Sequence, residues 1–167
     1  MEIKEKFEII NVDDESIEVK DGDEFDYTRD FHKVSLVIPI SENGKLILCK
    51  RAKDKEPYPD KWVCAVGGKV SSGESFEDAA KREMLEESNV SSELTERGSF
   101  IYHKEDYKAK FYLFTTKEHI SISSLVPNKR EVQFFKEFDE LEVEKMIQED
   151  EEAFAPTFVE AFKIFKN

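Results

Sequence analysis

Residues 68–90 read GKVSSGESFEDAAKREMLEESNV, and the placement of acids in this stretch decides the fold. Phe76, Ala80 and Met84 recur at helical spacing, with Ala79 beside them. Ser75 stands where an N-cap belongs, and Asp78 follows it by three residues as in a capping box. On a 3.6-residue period Glu83 and Glu87 fall on the apolar face, with Glu86 at its margin. An amphipathic helix ordinarily carries its acids on the opposite face, and unpaired carboxylates are costly to bury. A hard cation with oxygen ligands removes that cost. The local alternative is an acidic surface helix on which Lys81 and Arg82 pair with their neighbours. Leu85 falls off the apolar stripe.

Outward from this helix, strands are expected over 7–12, 16–20, 34–40, 45–50, 62–66, 107–115 and 131–138. Glu42-Asn43-Gly44 is a hairpin signal, and 51–60, with Pro57 and Pro59, is a loop. Helices are expected over 140–149 and after Pro156, where Phe158, Ala161, Phe162 and Phe165 share a face. The segment 88–105 carries no clear period. Strands interleaved with three helices predict an α/β protein with a mixed sheet covered on both faces. The length of 167 residues suits one domain, 1–167, with 1–30 as an N-terminal strand extension.

The formal net charge of −13 argues against a nucleic-acid polymer as partner, because such proteins present a basic face. A small anionic substrate remains compatible where metal ions and local cations offset the field. Cys49 and Cys64 lie in apolar runs and are expected as buried, reduced thiols, and the three histidines are scattered without zinc spacing. No leader and no apolar run long enough to span a membrane is visible, so a soluble, cytoplasmic protein is expected.

Gly68, Glu74, Arg82-Glu83, Glu86-Glu87 and Val90 together resemble the Nudix box, G-x5-E-x7-R-E-U-x-E-E-x-G-U, where U is a bulky aliphatic. Its final Gly is Asn89 here, the residue that next best accepts the left-handed conformation after a helix. The resemblance implies the Nudix fold, an α/β/α sandwich with a central mixed sheet, from about Phe31 onward. It also implies that Glu83, Glu86 and Glu87 bind Mg²⁺ or Mn²⁺, and that Glu74 and Arg82 pair to hold the module. Gly68 would allow a tight turn or offer its carbonyl to metal. Family members often recruit a further acid from a later strand, for which Glu131 is the candidate, as general base or extra ligand. Glu83 competes for the role of base. Many relatives dimerise, so a homodimer is one expected assembly.

A finer resemblance is to isopentenyl-diphosphate isomerase and its hydrolase relatives. It rests on Phe31-His32-Lys33, Arg51-Ala52-x-x-Lys55, Tyr58-Pro59-Asp60-Lys61-Trp62 and Ala153-Phe154-Ala155-Pro156. There Arg51 and Lys55 would face a diphosphate, the alternative being a solvated basic loop, and Trp62 either covers substrate or anchors the core. The isomerase's catalytic Cys aligns with Gly67, and Cys64 belongs to the preceding strand. The expectation is therefore an enzyme, a metal-dependent diphosphate hydrolase acting on a small molecule. An isomerase and a non-catalytic binding module stand as alternatives.

Overall fold

The run Val34-Ser35-Leu36-Val37-Ile38 carries apolar side chains to both faces of its strand, and helices cover both. The computed structural model describes residues 5–167; residues 1–4, the start of the expected N-terminal extension, lie outside the described residues. In chain order the elements are β1 (Lys6–Ile10), β2 (Ser16–Asp21), β3 (His32–Ser41), β4 (Leu46–Arg51), β5 (Trp62–Cys64), β6 (Val66–Lys69), α1 (Phe76–Ser88), β7 (Leu94–His103), β8 (Lys108–Ile120), β9 (Val132–Phe138), α2 (Glu140–Glu149) and α3 (Pro156–Lys166).

The main sheet runs β5-β4-β3-β8-β7, with β6 added to β3 and β9 to β4. β3 and β8 are parallel and the other pairs antiparallel, so the sheet is mixed. On one face Val37, Ile47, Val66 and Phe114 pack with Ala80 and Met84 of α1. On the other, Ile38, Leu48, Leu113 and Phe138 pack with Val143 of α2 and with Phe158, Phe162 and Phe165 of α3. Adjacent residues thus serve opposite layers, which gives near-continuous apolar runs rather than polar alternation. The expected α/β/α sandwich is present. Among the described residues no helix is long and apolar enough to cross a membrane.

Two elements differ from the sequence expectation. Residues 62–66 form not one strand but two: β5 pairs with β4 through Cys64–Leu48, and from Val66 onward β6 pairs with β3. The break follows from β3 and β4, which pair at Ile40–Leu46 by their hairpin and then part. The segment after α1 contains β7, paired along β8. Its pattern is interrupted by a register shift between Glu96 and Gly98, and Gly98 has φ 145°, a value that suits glycine. β1 and β2 form a separate hairpin fastened to the main body by Lys33–Glu8 (3.2 Å) and Lys110–Asp14 (2.9 Å) ion pairs.

Candidate active site

Local chemistry sets α1 in place before any site exists. Ser75 caps its start by accepting the Asp78 N–H (3.0 Å), and Asn89 closes it in the left-handed conformation at φ 58°. The Ser35 hydroxyl of β3 donates to the Phe76 carbonyl (2.6 Å), pinning the first turn to the sheet.

On this helix Glu83 and Glu87, one turn apart, point toward β6. Glu87 accepts the Gly67 N–H (3.4 Å), and its carboxyl lies close to that of Glu83. Burial, foremost, raises the pKa of both, and the proximity of Glu83 raises that of Glu87 further. Gly68 lies in the regular run of β6 opposite Ser35. It is not a turn residue; it provides room for Glu83. Glu86 is more exposed at the helix margin.

Arg82 organises these acids. Its Nε and Nη2 grip the two oxygens of Glu74 (2.7 and 2.9 Å), its Nη1 reaches Glu83 (2.8 Å) and Glu86 (3.3 Å), and Nη2 also donates to the Lys69 carbonyl (3.1 Å). Hydrogen bonding to Arg82 holds Glu74 below the usual carboxylate range, and the Ser71 N–H adds to it (3.0 Å). The pairing of Glu74 with Arg82 expected from the sequence is present as a two-pronged contact.

These groups open into a cleft of about 480 Å³ where β3 and β4 part. Charged groups line it: Glu83, Glu86, Glu87 and Glu131 share its wall with Arg51, Lys55 and Lys69. Aromatic rings line it as well, where Tyr107 stacks with Tyr27 (5.4 Å between centroids) and with Tyr58 (6.2 Å). Glu131 stands just before β9 rather than inside it, ion-paired to Lys55 at 3.1 Å. Arg51 donates to the carbonyls of Lys55 (3.2 Å) and Glu56 (3.1 Å), fixing the loop that carries Lys55. Arg51 and Lys55 therefore do reach the cleft, and neither is a free surface cation.

Among the described residues no three His, Cys, Asp or Glu side chains are gathered closely enough to ligate one ion. The donor set nonetheless suits a hard divalent cation. A half-buried carboxyl pair, a third carboxylate one residue away and the adjacent strand carbonyls are all oxygen donors, and the guanidinium opposing them is shared with Glu74.

Both thiols are free and buried, as expected; burial pushes the Cys64 pKa up to about 12, and that of Cys49 upward as well. Trp62 packs edge-on to Phe138 (5.1 Å) and is a core anchor rather than a cover for the cleft. The sequence reading gave no place in the cleft to Lys69, Tyr27, Tyr58 or Tyr107. A lysine beside Gly68 in so acidic a stretch was a signal for the first. The tyrosines come from three distant segments, with nothing local to join them.

The NUDIX domain family model matches residues 30–162. An uncharacterized Nudix hydrolase of Listeria monocytogenes is 36% identical over 104 residues, which are 62% of this chain and 60% of that protein. The nucleoside triphosphatase NudI of Escherichia coli is 35% identical over 111 residues, 64% of this chain and 77% of the relative. The match thus spans under two thirds of the Listeria protein's length. The crystal structure of DR0079 from Deinococcus radiodurans superposes with a TM-score of 0.79 over 95% of this chain and 98% of its own, at 20% identity, a likeness of fold. With its sandwich, its acidic helix and a match across most of its length, the chain belongs to the Nudix domain family.

Proposed function

We propose that this chain hydrolyses a diphosphate linkage in a nucleoside diphosphate derivative or a related organic diphosphate, by metal-dependent attack of water. The observation that carries the proposal is the Glu83–Glu87 pair, half-buried on one face of α1, open to the cleft and opposed by one shared guanidinium. A nucleotide-like substrate is supported by the name of the Escherichia coli relative. Glu83, Glu86 and Glu87 would hold Mg²⁺ or Mn²⁺, with the Gly68 carbonyl as a further oxygen donor. Bound there, such ions polarise a diphosphate and lower the pKa of water.

Arg82 and Glu74 hold the carboxylates in register, and Arg51 and Lys55 offset substrate charge. Glu131 takes the proton from the attacking water. Glu83 competes for that role, but a carboxylate engaged by a cation is the weaker base. A panel of nucleoside diphosphate sugars, dinucleotides, oxidised nucleotides, coenzyme A and prenyl diphosphates, run with Mg²⁺ and with Mn²⁺, tests the proposal. Turnover by wild type and its loss in Glu83→Gln are expected. A wild type silent across the panel would leave a binding module instead. A homodimer belongs to the same reading, and a solution mass near 19.5 kDa by light scattering would exclude it.

One observation favours kinship with the isomerase subgroup: the segments 58–62 and 153–156 meet, with the Ala155 N–H donating to the Trp62 carbonyl (3.1 Å). Isomerase chemistry itself has little support. A Cβ on Gly67 would lie 2.9 Å from Leu36 Cδ2, and Cys64 is a buried thiol with little thiolate. Cys64→Ala is expected to keep its diphosphate hydrolysis, with isopentenyl diphosphate left unisomerised by either protein.

A further inference from the structure

Lys69 extends from β6 into the wall of the cleft, next to Gly68. Its ammonium lies over two aromatic faces, 4.7 Å from the Phe7 ring centroid and 4.8 Å from that of Phe25. The Phe25 ring is itself held by Phe7 (5.3 Å) and by a T-shaped contact with His32 (4.6 Å). Aromatic faces attract a positive charge but are weak acceptors of N–H bonds, so an ammonium held this way keeps its donors available. Among the described residues no hydrogen bond or ion pair joins Lys69 Nζ to a protein oxygen. The other cations around the cleft are engaged: Arg51 by two carbonyls, Lys55 by Glu131 and Arg82 by three carboxylates.

Phe7 and Phe25 both precede residue 30, where the family match begins. They belong to the segment that carries the β1–β2 hairpin, which is tied to the loop before α1 by the Ser72 N–H donating to the Lys6 carbonyl (2.7 Å). We propose that Phe7 and Phe25 are positioning residues, by which the N-terminal segment completes the site and holds Lys69 with its donors aimed at an anionic oxygen of the substrate. The identity of that anion as a diphosphate rests on the function proposed above; the aromatic cradle does not.

The probe is inorganic imidodiphosphate, which presents the diphosphate charge through a P–N–P link, with binding read by calorimetry in the presence of Mg²⁺. Phe25, less buried than Phe7, carries the test. Lys69→Met is expected to weaken binding about tenfold. Phe25→Leu, which keeps apolar bulk and removes the π face, is expected to weaken it about threefold or more, and Phe25→Tyr to restore it. In the Lys69→Met background, Phe25→Leu is expected to change nothing further, a coupling that a merely structural role does not produce. Thermal melts confirm that each variant is folded. An undiminished Phe25→Leu, an equal loss with and without Lys69, or a wild type that does not bind the probe would each overturn the inference. A wild type that binds with the expected coupling but hydrolyses nothing in the panel overturns the hydrolase reading alone.

Discussion

The Glu83 carboxyl rests against the α-carbon of Gly68: a Cβ at that position would stand 2.2 Å from Glu83 Cδ and 2.4 Å from its Oε1. Helix and strand approach so closely here that a single hydrogen on Gly68 is what admits the acid. Gly68→Ala therefore moves Glu83 rather than the backbone, because the carboxyl is the softer partner. The expected outcome is a fall in kcat of about 100-fold, the scale of a misplacement near 1 Å, with the thermal midpoint close to wild type. Steady-state kinetics beside a melting curve checks it, and full activity in Gly68→Ala would remove Glu83 from the reaction.

Glu87→Gln should raise stability and abolish function together. Burial and Glu83 hold the Glu87 proton above its ordinary range, so metal-free stability is present at low pH and is lost as pH rises through the folded-state pKa. At pH 8 in chelator, Glu87→Gln is expected to melt a few degrees above wild type, on the order of 1 kcal/mol at about 2–4 °C per kcal/mol. Saturating Mg²⁺ should stabilise wild type and reverse that order. A variant that melts below wild type without metal would contradict the account of a strained acidic pair.

His32 predicts an acid limb of stability remote from the carboxylates. Its ring is buried, with Nδ1 bonded to the Asp30 carbonyl (2.9 Å) and Nε2 without a hydrogen-bond partner among the described residues, and burial lowers its pKa to about 4 from the ordinary 6.5. The unfolded chain binds this proton more tightly, so stability present above pH 6.5 is lost as pH falls through the window from 6.5 to 4, by about 3 kcal/mol. Urea titrations across that window measure it. His32→Gln should lower stability at neutral pH and flatten this slope; an unchanged slope would assign the acid sensitivity elsewhere.

Arg82→Lys keeps the charge and loses the fork. A lysine cannot reproduce the two-pronged contact with Glu74 while also reaching Glu83 and Glu86. Turnover is expected to fall by more than about tenfold, with stability lower by about 1–3 kcal/mol as a partly buried network loses its centre. Glu86→Gln, at the exposed edge of that network, should cost little stability, and equal destabilisation by both changes would argue against Arg82 as the hub.

The legible part of this molecule is the part written in local spacing. Ser75 and the apolar period of α1 specify the helix and its inward acids within one short stretch, and the resemblance to the Nudix box supplied the Glu74–Arg82 contact. The sandwich was expected from strands interleaved with three helices and from the family resemblance, and the packing of β3 against helices on both sides bears it out. β7 was hidden by the interruption at Glu96–Gly98, and the division between β5 and β6 by a change of partner at Ala65 that leaves apolar character unbroken. Tyr27, Tyr58 and Tyr107 meet only through tertiary structure, and Lys69 gains its setting from Phe7 and Phe25. No periodicity records such distant meetings.

The parting of β3 from β4 after Ile40–Leu46 divides the labour of the molecule. The acids hang from α1 and rest on β3 and β6, while the 52–61 loop hangs from β4 and β5. Residues inserted into or deleted from that loop, or from the segment before β3, leave the spacing from Gly68 to Glu87 untouched. On the function proposed above, such changes would remodel the wall around the substrate while the acids of α1 keep their places.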